Sequence, residues 1–81
     1  MTEVVLYTRP GCHLCEEARA ILERVRADAP FALRERDISA DDALHARYLE
    51  RIPVVTIDGE EAFELEVDEA GLRERLVRVQ R

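Results

Sequence analysis

Tyr7-Thr8-Arg9-Pro10-Gly11-Cys12-His13-Leu14-Cys15 is the stretch on which the fold of this chain turns. It begins at the end of an apolar, β-branched run, Glu3–Thr8 (EVVLYT), that reads as a buried strand. Arg9-Pro10-Gly11 breaks that strand. Beyond it, Leu14, Ala18, Ile21, Leu22 and Val25 recur at i, i+4, i+7, i+8 and i+11, which is one face of a helix. Leu14 is expected to pack inward and anchor the first turn. Asp28-Ala29-Pro30 ends the helix, because the residue before a proline is biased out of helical geometry.

Further along, Phe31, Leu33 and Glu35 alternate with Ala32, Arg34 and Arg36, a half-exposed strand ending near Ile38. Ser39 with Asp42 resembles a capping box, with Asp in place of Glu. It heads a short helix carrying Leu44, Tyr48 and Leu49. Pro53 opens a third strand, Val54-Val55-Thr56-Ile57, and Asp58-Gly59 is a type I′ hairpin signal. The fourth strand is expected at about Glu61–Glu66, with Ala62 and Phe63 or Leu65 inward. Asp68 then caps a last helix with Leu72, Leu76 and Val79 on one face. The order is β-α-β-α-β-β-α. A leading β-α-β implies a parallel pair joined by a right-handed crossover, and the hairpin implies an antiparallel pair. Both are met by an α/β fold with a four-stranded mixed sheet and helices on both faces.

The 81 residues suit one domain, 1–81. No apolar run approaches the ~20 residues that cross a bilayer. The opening MTEVVLYT lacks a basic region followed by an apolar one, so a cytoplasmic location is expected. Twelve basic residues, all Arg, face eighteen acidic ones, for a net charge of −6. Such a balance argues against nucleic acid and anionic membrane as partners. The aromatic pairs Tyr7/Tyr48 and Phe31/Phe63 are too scattered for a base-stacking platform. A monomer is expected.

The chain has two cysteines, three positions apart. A stapling disulfide normally closes a longer loop, where it removes more unfolded-state entropy. In a small cytosolic protein such a pair points to redox or metal chemistry. Cys12 falls at a helix start, where unpaired N–H groups and the helix dipole favour a thiolate. It is the candidate nucleophile. Cys15, one turn on, is placed to resolve a mixed disulfide. A zinc site wants four ligands, and only Cys12, Cys15, His13 and His45 are on offer. His13 should point away from both thiols and His45 toward solvent, so no metal is assigned.

The run from Tyr7 to Cys15 resembles the active-site segment of glutaredoxins, within the thioredoxin-like fold. Arg51-Ile52-Pro53 sits where that family has Thr-Val-Pro, and Ile57-Asp58-Gly59 matches its hairpin. The resemblance covers essentially the whole chain. It implies a glutaredoxin-type thiol-disulfide oxidoreductase with a redox-active Cys12–Cys15 pair and a cis Pro53 beside it. The exposed Ile52 backbone would then pair with an extended substrate. Arg9, where the family often has Lys, is a candidate contact for a substrate carboxylate. His13-Leu14 replaces the family's Pro-Tyr, and a protonated His13 would favour the thiolate.

Partners implied are a disulfide-bearing protein or small thiol substrate, and a reductase or low-molecular-weight thiol as donor. No bound cofactor is implied. Glutathione is the family's thiol, yet the Gly-Gly pair that holds its carboxylate is replaced by Phe63-Glu64. Glu64, Glu66 and Asp68 add like charge there, so weak glutathione binding is expected. The alternative class is a binding protein that holds a soft metal, or an iron–sulfur cluster shared across a dimer, on its thiolates. Copper chaperones also place C-x-x-C between a first strand and helix, but in a β-α-β-β-α-β order and without Ile-Pro. A thioredoxin-fold module kept only for protein contacts would not need the complete C-x-x-C.

Overall fold

The computed structural model describes residues 1–80. The elements are β1 (Glu3–Thr8), α1 (His13–Asp28), β2 (Ala32–Asp37), a 3-10 turn (Ile38–Ala40), α2 (Asp42–Tyr48), β3 (Val54–Ile57), β4 (Glu60–Glu64) and α3 (Glu69–Val79). The strands form one sheet in the order β2-β1-β3-β4. β1 runs parallel to β2 and antiparallel to β3, and β3 is antiparallel to β4. This is the mixed sheet read from the sequence, and its order is that of the thioredoxin-like fold.

Alternation along the strands builds a core on each face. Val4, Leu6, Val55 and Ile57 meet Ala18, Leu22 and Val25 of α1 and Leu72 and Leu76 of α3. On the opposite face Ile38, Tyr48 and Val54 form a smaller cluster, with Tyr7, Leu44 and Ile52 packed against it. Tyr7 and Tyr48, distant in sequence, stack there with ring centroids 4.7 Å apart. At the hairpin Asp58 and Gly59 take φ of +49° and +88°, the left-handed pair that a type I′ turn demands. Asp58 also ties the turn to the start of β1. Its Oδ1 accepts from the Glu3 N–H at 2.9 Å, and its N–H donates to the Glu3 carbonyl at 2.8 Å.

Several expectations are corrected. Leu14 does not pack inward; it is 46% exposed. Cys15 takes the inward position instead, so the buried stripe of α1 is Cys15, Ala18, Leu22 and Val25, and Leu14 lies beside it. Ser39 is not a helix cap, because the 3-10 turn absorbs it. Asp41 caps α2, its carboxylate accepting from the N–H groups of Ala43 and Leu44 at 2.9 and 3.1 Å. Asp68 holds the cap position of α3 without a side-chain hydrogen bond. β4 stops at Glu64 because Leu65 turns to φ +69° and leaves the strand. Val79 is 45% exposed, one turn beyond Leu76, where the core ends.

α1 and α3 are also joined at their surface. Arg24 reaches Glu69 at 2.7 Å, and Arg73 reaches both Asp28 and Glu69 at 3.1 Å. Hydrogen bonds from Arg24, then from Arg73, hold the Glu69 carboxyl below its ordinary value of 4.5. A carboxyl lowered in the folded state contributes stability above its unfolded pKa and loses it as pH falls through the folded one. Thermal melts of the parent and Glu69→Gln should therefore differ most at neutral pH and converge as pH falls below about 4.5. A constant offset down to strongly acidic pH would contradict this role.

Gly71 offers a second check. A methyl group there would meet the Asp68 carboxylate at 2.9 Å and the Phe63 ring at 3.5 Å. The Asp68 side chain holds no cap bond and is free to swing aside. The gain in helix propensity should then prevail. Gly71→Ala is expected to stabilise by about 0.5–1 kcal/mol, raising Tm by a few degrees. A lower Tm would show that the carboxylate cannot move.

Candidate active site

The sheet directions gather one set of termini at one edge. The C-terminal ends of β1, β2 and β4 lie there, together with the N-terminal end of β3. The chain leaves β1 through Arg9-Pro10-Gly11. The Cys12 N–H donates to the Arg9 carbonyl at 3.4 Å, and Gly11 takes φ +81°. Pro in the second place and a left-handed Gly in the third suit a type II turn. This turn delivers Cys12 to the N-cap of α1 in extended geometry.

Cys12 and Cys15 are joined as a disulfide, with Cα atoms 5.2 Å apart. The Cys12 Sγ accepts a hydrogen bond from the Cys15 N–H at 3.2 Å. A helix N–H aimed at this sulfur stabilises negative charge on it once the bond is reduced. The two cysteines are not equivalent. Cys12 is half-buried at the helix end, whereas Cys15 is 1% exposed. His13 is exposed between them.

Pro53 arrives from the other direction. The register Tyr7↔Val54 continues to set Pro53 at the level of Thr8, at the edge from which the chain runs to Cys12. The Ile52–Pro53 peptide is cis. The Ile52 N–H donates to the Tyr48 carbonyl at 3.0 Å, so it is already satisfied within the fold. Of the Ile52 backbone expected to receive substrate, only the carbonyl lacks a backbone partner among the described residues.

The candidate charges divide sharply. Arg9 is exposed and has no ion pair among the described residues, with Asp37 nearby. Arg51 is held by Glu64 and Glu61, and its guanidinium lies 5.4 Å above the Tyr48 ring. These carboxylates raise its pKa further above the ordinary arginine value, and in return Arg51 lowers that of Glu61. Glu64, Glu66 and Asp68, expected to crowd one region, have different neighbours. Glu64 turns to Arg51, the Asp68 carboxylate lies over Gly71, and Glu66 borders a groove with Leu14.

Sequence reasoning missed that groove, because its signal was a leucine assigned to the core. It also missed the Arg47–Tyr48–Arg51–Glu61 cluster, which joins the end of α2 and the segment after it to β4. His45, expected toward solvent, is half-buried. Among the described residues no three His, Cys, Asp or Glu side chains are grouped to hold a metal ion.

A β2-β1-β3-β4 sheet carrying a C-x-x-C pair at the first helix start defines a thioredoxin-fold protein of the glutaredoxin-like kind. The family model described as Glutaredoxin-like domain (DUF836) matches residues 3–77, and the chain belongs to that family. An uncharacterized protein of Mycobacterium tuberculosis is 32% identical, the match covering 94% of this chain and 84% of that one. A crystal structure from X. campestris superposes with a TM-score of 0.78 at 33% identity, covering 93% of this chain and 96% of that one. A solution structure from Nitrosomonas europaea gives 0.80 at 29% identity, covering 91% and 89%. Oxidised thioredoxin of Plasmodium falciparum shares the fold, with a TM-score of 0.66 at 11% identity over 96% of this chain and 80% of that one.

The unequal burial of the cysteines has a direct consequence. In the reduced protein Cys12 should alkylate well before Cys15, with a pH inflection below the ordinary thiol value of ~8.5. Mass mapping of the first modified residue reads this out. Equal labelling of both thiols without a lowered inflection would refute the assignment.

Proposed function

We propose that the protein is a thiol-disulfide oxidoreductase that reduces protein or small-molecule disulfides in the cytoplasm. The observation that carries this reading is the pairing of a half-buried, helix-capping Cys12 with a buried Cys15 one turn away. In the reduced enzyme the Cys12 thiolate attacks one sulfur of the substrate disulfide. A bond to Cys12 forms, the substrate S–S bond breaks, and the leaving thiolate takes up a proton. Cys15, once deprotonated, attacks the Cys12 sulfur and expels the second substrate thiol. The substrate gains two electrons and the enzyme is left as its disulfide. A reductase or a low-molecular-weight thiol returns those electrons.

Ile52 and Pro53 border the approach to Cys12, and the Ile52 carbonyl accepts an incoming backbone N–H. His13 directly follows the attacking cysteine and is exposed, and a positive charge there would favour the thiolate. Glutathione is a poor donor in this reading. Arg51 is occupied by Glu61 and Glu64, which leaves Arg9 as the arginine nearest the cysteines in sequence. A peptide thiol with two carboxylates has little to bind.

The test is trapping. Cys15→Ser should accumulate mixed disulfides through Cys12, and Cys12→Ser should accumulate none. Turnover of a small disulfide should be efficient with a dithiol reductant and weak with glutathione. No trapped species from Cys15→Ser, together with no turnover by the parent, refutes oxidoreductase activity. Saturable turnover at sub-millimolar glutathione, a range typical of good KM values, refutes only the donor assignment.

A further inference from the structure

A shallow groove of about 160 Å³ runs from the C-x-x-C along α1, facing the connection from β4 to α3. Leu14, Ile21, Leu65 and Val67 supply its apolar surface, and Glu17 and Glu66 its charge. Two leucines stand open to water there, Leu14 at 46% and Leu65 at 49%. Leu65 is held in place at a cost. Its φ of +69° is a left-handed conformation that a leucine adopts only under constraint. Its N–H donates to the carbonyls of Arg51 and Pro53 at 3.0 and 2.9 Å, which fixes the turn. The fold thus spends backbone strain to present an apolar side chain in the groove that Leu14, within the C-x-x-C, also lines.

The charge lining the groove is of one sign, from Glu17 and Glu66. Most arginines of this chain are matched with carboxylates, including Arg19, Arg24, Arg47, Arg51 and Arg73. Glu17 and Glu66 have no ion pair among the described residues. The groove therefore presents unneutralised negative charge around an apolar strip that begins within the C-x-x-C itself.

We propose that this groove docks an extended segment of a protein substrate, with an apolar side chain against Leu14 and Leu65 and Arg or Lys against Glu17 and Glu66. The inference rests on the oxidoreductase reading and names its substrate class: disulfides flanked by apolar and cationic residues. Neutral apolar strips give affinity without direction, whereas opposed charges set register and speed encounter. The same carboxylates disfavour acidic segments.

Two separate measurements test it. Binding is read without redox chemistry, by NMR titration of the Cys12→Ser protein with a capped peptide in which Leu and Arg flank serine. The Leu14, Leu65 and Glu66 amides should shift, and Glu in place of Arg should weaken binding about ten-fold at low salt. Glu17→Arg/Glu66→Arg should reverse that preference, and added salt should shrink it. Both substitutions lie on the exposed surface, where folding tolerates them. Equal affinity for the two peptides, shifts confined to another face, or a preference unchanged in the double variant would overturn the groove assignment. Reduction of a small neutral disulfide by the parent is followed alongside. Turnover there without peptide discrimination rejects the groove alone. Discrimination without any turnover, and with no mixed disulfide trapped by Cys15→Ser, upholds the groove as a peptide site and rejects the oxidoreductase reading.

Discussion

The pairing of β1 on both of its edges is the constraint on which the rest depends. β1 accepts β2 in parallel and β3 antiparallel, so its register fixes two other strands at once. A slip of one residue would turn Val4 and Leu6 out of the larger core and drive Val5 and Tyr7 into it. That penalty locks Tyr7 opposite Val54. The lock carries Pro53 to the level of Thr8 and leaves a short turn to set Cys12 on the cap of α1. The cysteine pair is thus positioned by sheet register, and the local sequence only completes the placement.

Charge is arranged as economically as register. With no lysine in the chain, every described side-chain cation other than histidine is a planar arginine fork, suited to carboxylates. Arg24, Arg73, Glu69 and Asp28 bind the two helices on one face of the sheet. Arg51 bridges Glu61 and Glu64, joining the segment before Pro53 to β4. These exposed pairs contribute little each. Their larger effect is on what remains: carboxylates such as Glu17 and Glu66 that keep no ion pair among the described residues.

Period and punctuation made most of the fold legible. Asp58-Gly59 read correctly because only left-handed geometry closes a two-residue hairpin, and both residues adopt it. The strand–turn–helix around Cys12 read correctly because Pro10-Gly11 permits little else. The errors fall where tertiary contacts override local pattern. Leu14 and Cys15 are both acceptable on an inward face, and packing against the sheet selected Cys15. Ser39 matched a capping pattern, yet Asp37 had already drawn its N–H and hydroxyl. Leu65 looked like a strand residue because nothing local announces a left-handed leucine; carbonyls of Arg51 and Pro53 impose it. The two tyrosines seemed scattered because their meeting spans both faces of a packing interface that no window of sequence contains.

That tyrosine stack also determines how the molecule can be watched. The chain has no tryptophan, and its only tyrosines lie together on the α2 side of the sheet. The cysteines and the larger core between α1 and α3 carry no such chromophore. Near-ultraviolet absorption and emission from tyrosine are consequently local instruments, reporting whether α2 is seated on the sheet. α2 is anchored through the smaller cluster of Ile38, Tyr48 and Val54. Sub-global opening begins where fewer apolar groups are buried. A tyrosine signal would then follow the loosening of one wall and leave the helix that bears the thiols optically silent.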